Sequence, residues 1–279
     1  MKKFQLALLC FAALAFVACD TNKPDDPNHP NTATKALKGV FSVSATQQVR
    51  FSPGNLQYAQ STDTWGFAAK QYEIIGEANV KDGALADKID LFGWSGSTGS
   101  AKWGVSTSQN NYDYSGDFVD WGKNIGNGSI WRTLSADEWD YLSEGRTNAS
   151  SLQGVARIQV SEGEFVNGLI LLPDNWTCPA GITFKSGYAN EYSIEAYGTY
   201  QTFMLKEWEQ LEVAGAVFLP ASGSRNGTDV SGVGGYGIYW SASYYSESIA
   251  GCLAFGADGV FVYNNNRYYG QAVRLVQEL

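Results

Sequence analysis

The sequence predicts an α+β domain with two helices, short mixed or antiparallel strands and long ordered loops. Three observations lead there. The 279 residues include 31 glycines, 16 tyrosines and nine tryptophans, and only 17 % are charged; this is the composition of loop-rich β structure with much aromatic packing. Short apolar runs alternate with clusters of Gly, Asn, Asp and Ser, without an internal repeat. Two windows carry apolar residues at helical spacing.

Lys2 and Lys3, the apolar run Leu6 to Val17 and then Ala18-Cys19 have the charged, hydrophobic and small-residue layout of a signal peptide. The run is too short to span a bilayer. A cysteine directly after small residues marks the lipoprotein variety, in which the thiol takes diacylglycerol before the new amino group is acylated. Residues 1–18 are therefore expected to be removed and Cys19 lipidated. Residues 19–36 are polar and rich in Pro, Asn and Asp, so they are expected to form a flexible tether. The acids Asp20, Asp25 and Asp26 suggest display on the outward face of an outer membrane. A single folded domain is expected from Leu37 to Leu279, with no second linker.

Within it, Gly39 to Val43, Gln48 to Phe51 and Tyr72 to Ile75 read as early strands. Gly93 to Gly128 scatters aromatics among Gly, Ser and Asn and is expected to be a long ordered loop pinned by Trp94, Trp103 and Trp121. Ser135-Ala-Asp-Glu138 is a capping box; Leu134 and Trp139 are placed as its hydrophobic staple, and Leu142 continues the apolar face. Leu169 to Leu172 and Ala216 to Leu219 are wholly apolar and close on Pro173 and Pro220, as buried central strands do. Between them, Met204, Trp208 and Leu211 predict a helix over Phe203 to Val213 that Gly215 ends.

The formal charge is -9, and loss of Lys2 and Lys3 makes it -11. With no cluster of Lys and Arg, nucleic-acid binding is excluded. The one histidine, His29, lies in the tether, so a histidine-activated nucleophile and an imidazole zinc site are unavailable to the domain. Of four cysteines only Cys178 and Cys252 belong to the body; an oxidising envelope would let them pair if the fold brings them together. Acids are plentiful, but no spacing singles out a catalytic pair. Neither cofactor nor enzymatic activity is expected.

The segment Trp131-Arg-Thr-Leu-Ser-Ala-Asp-Glu-Trp-Asp-Tyr-Leu142 resembles the start of a helix in the formylglycine-generating-enzyme branch of the C-type lectin-like fold. Tyr239-Trp-Ser-Ala-Ser, Leu253-Ala-Phe, Arg267 and Gly270-Gln-Ala-Val-Arg-Leu-Val276 resemble its last strands. The body from about Gly39 to Val276 is similar to the lipoproteins grouped as the Fibrobacter succinogenes major paralogous domain, which share the segments at Leu172 to Trp176 and Gly215 to Pro220. The resemblance implies a C-type lectin-like fold. It does not carry the enzymatic branch's oxidation, which needs a closely spaced copper-binding cysteine pair. The calcium-binding triplets of lectins are also missing: Asp174-Asn175-Trp176 has similar letters in another order and reads as a turn after a buried strand. Asp113, Asp117 and Asp120 have the oxygens to ligate a cation, but acidic loop residues are ordinarily just solvated.

Seven of the 16 tyrosines lie between Tyr236 and Tyr269, among Ser, Gly and Asn. That is the composition of adaptable binding surfaces, because a phenol buries area at small entropic cost while its hydroxyl stays wet. Trp240, Leu253, Phe255, Val273 and Leu275 are expected to pack the core. The candidate ligand-binding residues are Tyr244, Tyr245, Glu247, Cys252, Ala254, Asp258, Phe261, Tyr263, Asn264, Asn265, Asn266, Tyr268 and Tyr269. The Asn264 to Asn266 run and the isolated Cys252 resemble the variable regions that diversity-generating retroelements rewrite in related C-type lectin-like proteins. The expectation is a surface-displayed, non-enzymatic lipoprotein that touches the membrane through its lipid alone and binds a protein or glycan. The alternatives are a structural or adhesive envelope lipoprotein and a degenerate relative of the formylglycine-generating enzyme.

Overall fold

The computed structural model describes residues 35–94, 108–109, 117–126 and 130–279, which belong to one compact unit. The expectations for residues 1–34, including Cys19, and those for Trp103 and Asp113 lie outside the described residues. The first part of the domain carries β1 (Phe41–Ser42), β2 (Gln48–Phe51), β3 (Leu56–Ala59), β4 (Thr64–Phe67), β5 (Val80–Lys81), β6 (Ala84–Leu85) and β7 (Lys88–Ile89). The middle follows with β8 (Trp131–Thr133), α1 (Ala136–Asp140), β9 (Gln153–Ser161), β10 (Glu164–Leu171), α2 (Ile194–Tyr200), β11 (Thr202–Met204), α3 (Leu205–Val213) and β12 (Val217–Pro220). The last part has β13 (Ser224–Asn226), β14 (Asp229–Ser231), β15 (Gly237–Tyr244), β16 (Ile249–Gly256), β17 (Gly259–Asn266) and β18 (Leu275–Glu278).

The fold is α+β and mostly strands. Two four-stranded sheets run β1-β2-β18-β8 and β11-β9-β10-β12, and a three-stranded antiparallel sheet runs β15-β16-β17. In the first sheet the C-terminal β18 lies between β2 and β8, antiparallel to both.

Local chemistry explains the helices. The Ser135 hydroxyl accepts from Glu138 N–H, the Glu138 carboxylate accepts from Ser135 N–H, and Leu134 and Trp139 are both fully buried, so capping box and staple together start α1. Arg132 then pairs with Glu138 at 2.6 Å and with Glu278 at 2.8 Å, tying α1 to β8 and β18. Helix α3 ends in a Schellman motif: Ala216 N–H donates to Leu211 C=O and Gly215 N–H to Glu212 C=O, with Gly215 at φ +108°. Trp208 and Leu211 are buried, whereas Met204 sits in β11 and is exposed. A third helix, α2, was not expected; the Ser193 hydroxyl caps it by accepting from Ala196 N–H.

Three strand expectations are corrected. Gly39 to Val43 supplies only the two-residue β1. Tyr72 to Ile75 is no strand: Ile75 N–H donates to the buried Asp90 carboxylate at 2.8 Å and a 3-10 turn follows. Leu169 to Leu172 is central, since β10 lies between β9 and β12, but Ala216 to Leu219 gives β12 at the edge of its sheet. All of β12 is nevertheless buried, because side chains close its free edge. Gln71 accepts from Phe218 N–H at 2.9 Å and donates to Ala216 C=O at 3.1 Å, and Arg274 donates to Phe218 C=O at 3.3 Å and to Gln71 Oε1 at 2.7 Å. Arg274 is fully buried, and desolvation brings its guanidinium down to about 10.

Acidic residues near the loops also have structural work. Asp174 sits in the expected turn, accepts from Ser42 N–H and hydroxyl and from Gln48, and pairs with the buried Arg146 at 3.1 Å. Asp120 caps a 3-10 turn by accepting from Gly122 N–H and also accepts from Thr133 N–H and hydroxyl. Its oxygens are thereby engaged by donors, which removes it from the acidic trio weighed as a cation site.

Candidate ligand-binding cleft

The sheet β15-β16-β17 stands between two apolar clusters. Tyr239, Leu253, Phe255 and Val260 face one, with Phe51, Trp139 and Val276. Ile238, Trp240, Ala250 and Cys252 face the other, with Trp94, Trp121 and Trp131. Trp240 Nε1–H donates to Phe92 C=O at 2.6 Å and Trp94 Nε1–H to Ser241 C=O at 2.7 Å, so these two indole nitrogens are satisfied. The second cluster covers only part of its face. Beyond it, Ala254 pairs with Phe261 and Cys252 with Tyr263 across the β16/β17 register, and here the outer side chains are open to solvent: Phe261 is 60 % and Tyr263 39 % exposed.

This open part is the floor of a cleft of about 500 Å³ lined by Tyr192, Ser224, Ser231, Tyr236, Ile238, Ala254, Phe255, Gly256, Asp258, Phe261, Tyr263, Asn265 and Tyr269. Its shape depends on two glycines that face each other across the hairpin, Gly256 and Gly259. A Cβ on Gly256 would lie 2.7 Å from Asp258 Oδ1 and 3.1 Å from Tyr192 Cε2; one on Gly259 would lie 2.7 Å from Phe261 Cζ. The missing side chains leave bare sheet on which the Tyr192 and Phe261 rings rest, beside the Asp258 carboxylate. Around them, the Tyr236 hydroxyl lies 3.4 Å from Ser224 Oγ and 3.2 Å from Ser231 Oγ, and Asn265 Nδ2–H donates to the Tyr263 hydroxyl at 3.2 Å. Burial, with the neighbouring Cys252, pushes the Tyr263 phenol up, so it remains a neutral donor and acceptor. Among the described residues no Lys, Arg or His lines the cleft.

Of the expected site residues, Ala254, Asp258, Phe261, Tyr263, Asn265 and Tyr269 meet in this cleft. Tyr244 and Glu247 belong to a separate pocket of about 290 Å³ with Asp117 and Arg267. There the Arg267 guanidinium lies 4.5 Å from the centre of the Trp94 ring and donates to Glu247 C=O at 2.9 Å. Tyr245, Asn264 and Asn266 line neither, though Tyr245 and Asn264 are exposed. Cys252 and Tyr268 are corrected as contact residues, because both are buried. Cys252 packs among tryptophans, and desolvation pushes its thiol up to about 12, so it is inert at neutral pH. Cys178 and Cys252 are free and do not pair. Tyr192, Ser224, Ser231 and Gly256 went unrecognised in the sequence; Tyr192 is brought in from just before α2, more than sixty positions upstream of the hairpin it covers.

No family model, curated protein or solved structure matches this chain.

Proposed function

We propose that this protein is a lipid-anchored, outward-facing envelope lipoprotein of C-type lectin-like fold that binds a protein or glycan in the cleft over β15-β17, without catalysis. One observation carries the binding reading: Phe261, Tyr263 and Tyr192 form an exposed aromatic surface in a concave site, whereas most of the neighbouring middle strand β16 is buried. Exposed aromatics set in a concave site with a few polar groups are the usual make-up of recognition sites. The fold reading is supported by where its motifs fall. The segment at Trp131 to Leu142 forms β8 and the capped α1, and the closing motifs fall on β15, β16 and β18.

The deciding experiment screens the protein against glycan and cell-surface-protein arrays beside Phe261→Ala and Tyr263→Ala. Either change is expected to cost about 2 kcal/mol or more of binding while leaving the melting temperature nearly unchanged. Loss of folding in both variants would make these rings core and move the site elsewhere. The anchor is tested separately: Cys19→Ala is expected to move the protein from the membrane to the soluble fraction. Comparison of the DNA coding for the C-terminal segment with neighbouring sequence tests retroelement diversification, through a near-repeat that differs at adenines.

A further inference from the structure

Strand β17 is the edge of its sheet. Which of its backbone groups point outward follows from the pairing. Trp240 N–H donates to Ala272 C=O, and Ala272 N–H donates to Ile238 C=O, so these β15 residues turn away from β16. Antiparallel pairs alternate between mutually bonded and unbonded. Tyr239 with Leu253 is therefore a bonded pair, and so in turn are Cys252 with Tyr263 and Ala254 with Phe261. This directs the N–H and C=O groups of Val260, Val262 and Asn264 away from β16. Among the described residues nothing takes them up. The edge also lacks the usual protections: its eight residues, GVFVYNNN, hold no charge and no proline.

Asp258 stands at the hairpin end of this edge, beside the Phe261 and Tyr192 rings, and has no ion-pair or hydrogen-bond partner among the described residues. With an unpaired carboxylate, no basic residue among the described residues that line the cleft and a net charge of -9, the site favours a cation. Building on the cleft reading above, we propose that the ligand is an extended polypeptide that adds as a fourth strand along β17 and carries a lysine or arginine opposite the hairpin end. Its backbone pairs with Val260, Val262 and Asn264, and its cation lies against the Phe261 ring within reach of Asp258. A free strand edge favours a peptide over a glycan, because only a peptide repeats donor and acceptor at the spacing that the edge offers.

The test selects random decapeptides from a display library on the full-length protein and measures the winners against variants. Basic peptides are expected to be enriched. Val262→Pro, which removes an outward N–H without touching the bonds to β16, is expected to weaken them about tenfold or more. Asp258→Asn is expected to weaken them about fivefold, the size of an exposed ion pair. N-methylation of alternate peptide amides gives the same answer without altering the protein, so an unfolded Val262→Pro would not spoil the test. If binding survives Val262→Pro and N-methylation but is lost in Phe261→Ala, strand addition is wrong and the cleft reading stands. Binding that survives Phe261→Ala as well would remove the cleft reading too. Enrichment without basic residues, neutral glycans binding where peptides do not, or a self-dimer that Val262→Pro dissolves would each overturn the proposal.

Discussion

Two edge strands of this domain meet the same problem in opposite ways. At β12 the free backbone groups are closed from inside the protein, by the Gln71 amide and the Arg274 guanidinium, and the strand is wholly buried. At β17 the outward groups of Val260, Val262 and Asn264 meet nothing among the described residues, and the neighbouring side chains are aromatic and exposed. An unpaired edge costs little in water and much in a core. The fold therefore puts a costly polar network, with a guanidinium taken out of water, where the edge must be dry. Among the described residues nothing closes the edge that lies beside the cleft.

The largest expected effect breaks the closed edge. Gln71→Leu leaves the Phe218 N–H without an acceptor and removes the shortest contact of a buried cation, so about 3–5 kcal/mol of unfolding free energy should be lost in a denaturant titration. Arg274→Met should cost less, about 1–3 kcal/mol, because the charge leaves along with its desolvation penalty and only neutral acceptors are stranded. A larger loss for Arg274→Met than for Gln71→Leu would mean that the guanidinium itself holds β12 in place.

Next comes a pH effect on the covered part of the β15-β17 face. An acid held above its ordinary value in the folded protein gives up stability as pH rises, because the unfolded chain ionises first. The Cys252 thiol is pushed up to about 12. Between about pH 9, where an unfolded thiol is ionised, and that value, stability should fall with pH, and less steeply in Cys252→Ala. Alkylation of the native protein at neutral pH, followed by peptide mapping, should label the half-exposed Cys178 and spare Cys252. The smallest effects fall on the open edge. Phe261→Ala should change stability by about 0.5 kcal/mol or less and Val262→Pro by about 1 kcal/mol, as read by thermal melting. Losses as large as those at β12 would mean that β17 is packed by the protein itself.

These contrasts also show what a sequence discloses. The capped start of α1 and the glycine-ended α3 were legible because each signal lies within a few residues of what it shapes. Helix α2 was not: it is seven residues long, includes Gly198, and rests on a lone serine cap. Tyr72 to Ile75 has a strand's letters but no strand to pair with. The closure of β12 joins Gln71 to a residue 203 positions away, and no local pattern announces it. The cleft was half legible. Phe261, Tyr263 and Asn265 stand in a tyrosine- and asparagine-rich segment, whereas Tyr192 and the glycine that seats its ring become meaningful only in three dimensions.

The placement of β18 has a consequence for how the molecule is made. Among the described residues β18 comes last in sequence, yet it is an inner strand of its sheet, between β2 and β8. A ribosome releases the polypeptide from its start, so β2 and β8 emerge with a gap between them that only residues Leu275–Glu278 can fill. Until residues Leu275–Glu278 have been made, the first sheet stays open and the apolar cluster beneath it, Val276 included, stays incomplete. The chain thus carries its own delay. This long-range closure follows the synthesis of every other described element, and a nascent chain that lacks Leu275–Glu278 keeps β2 and β8 apart.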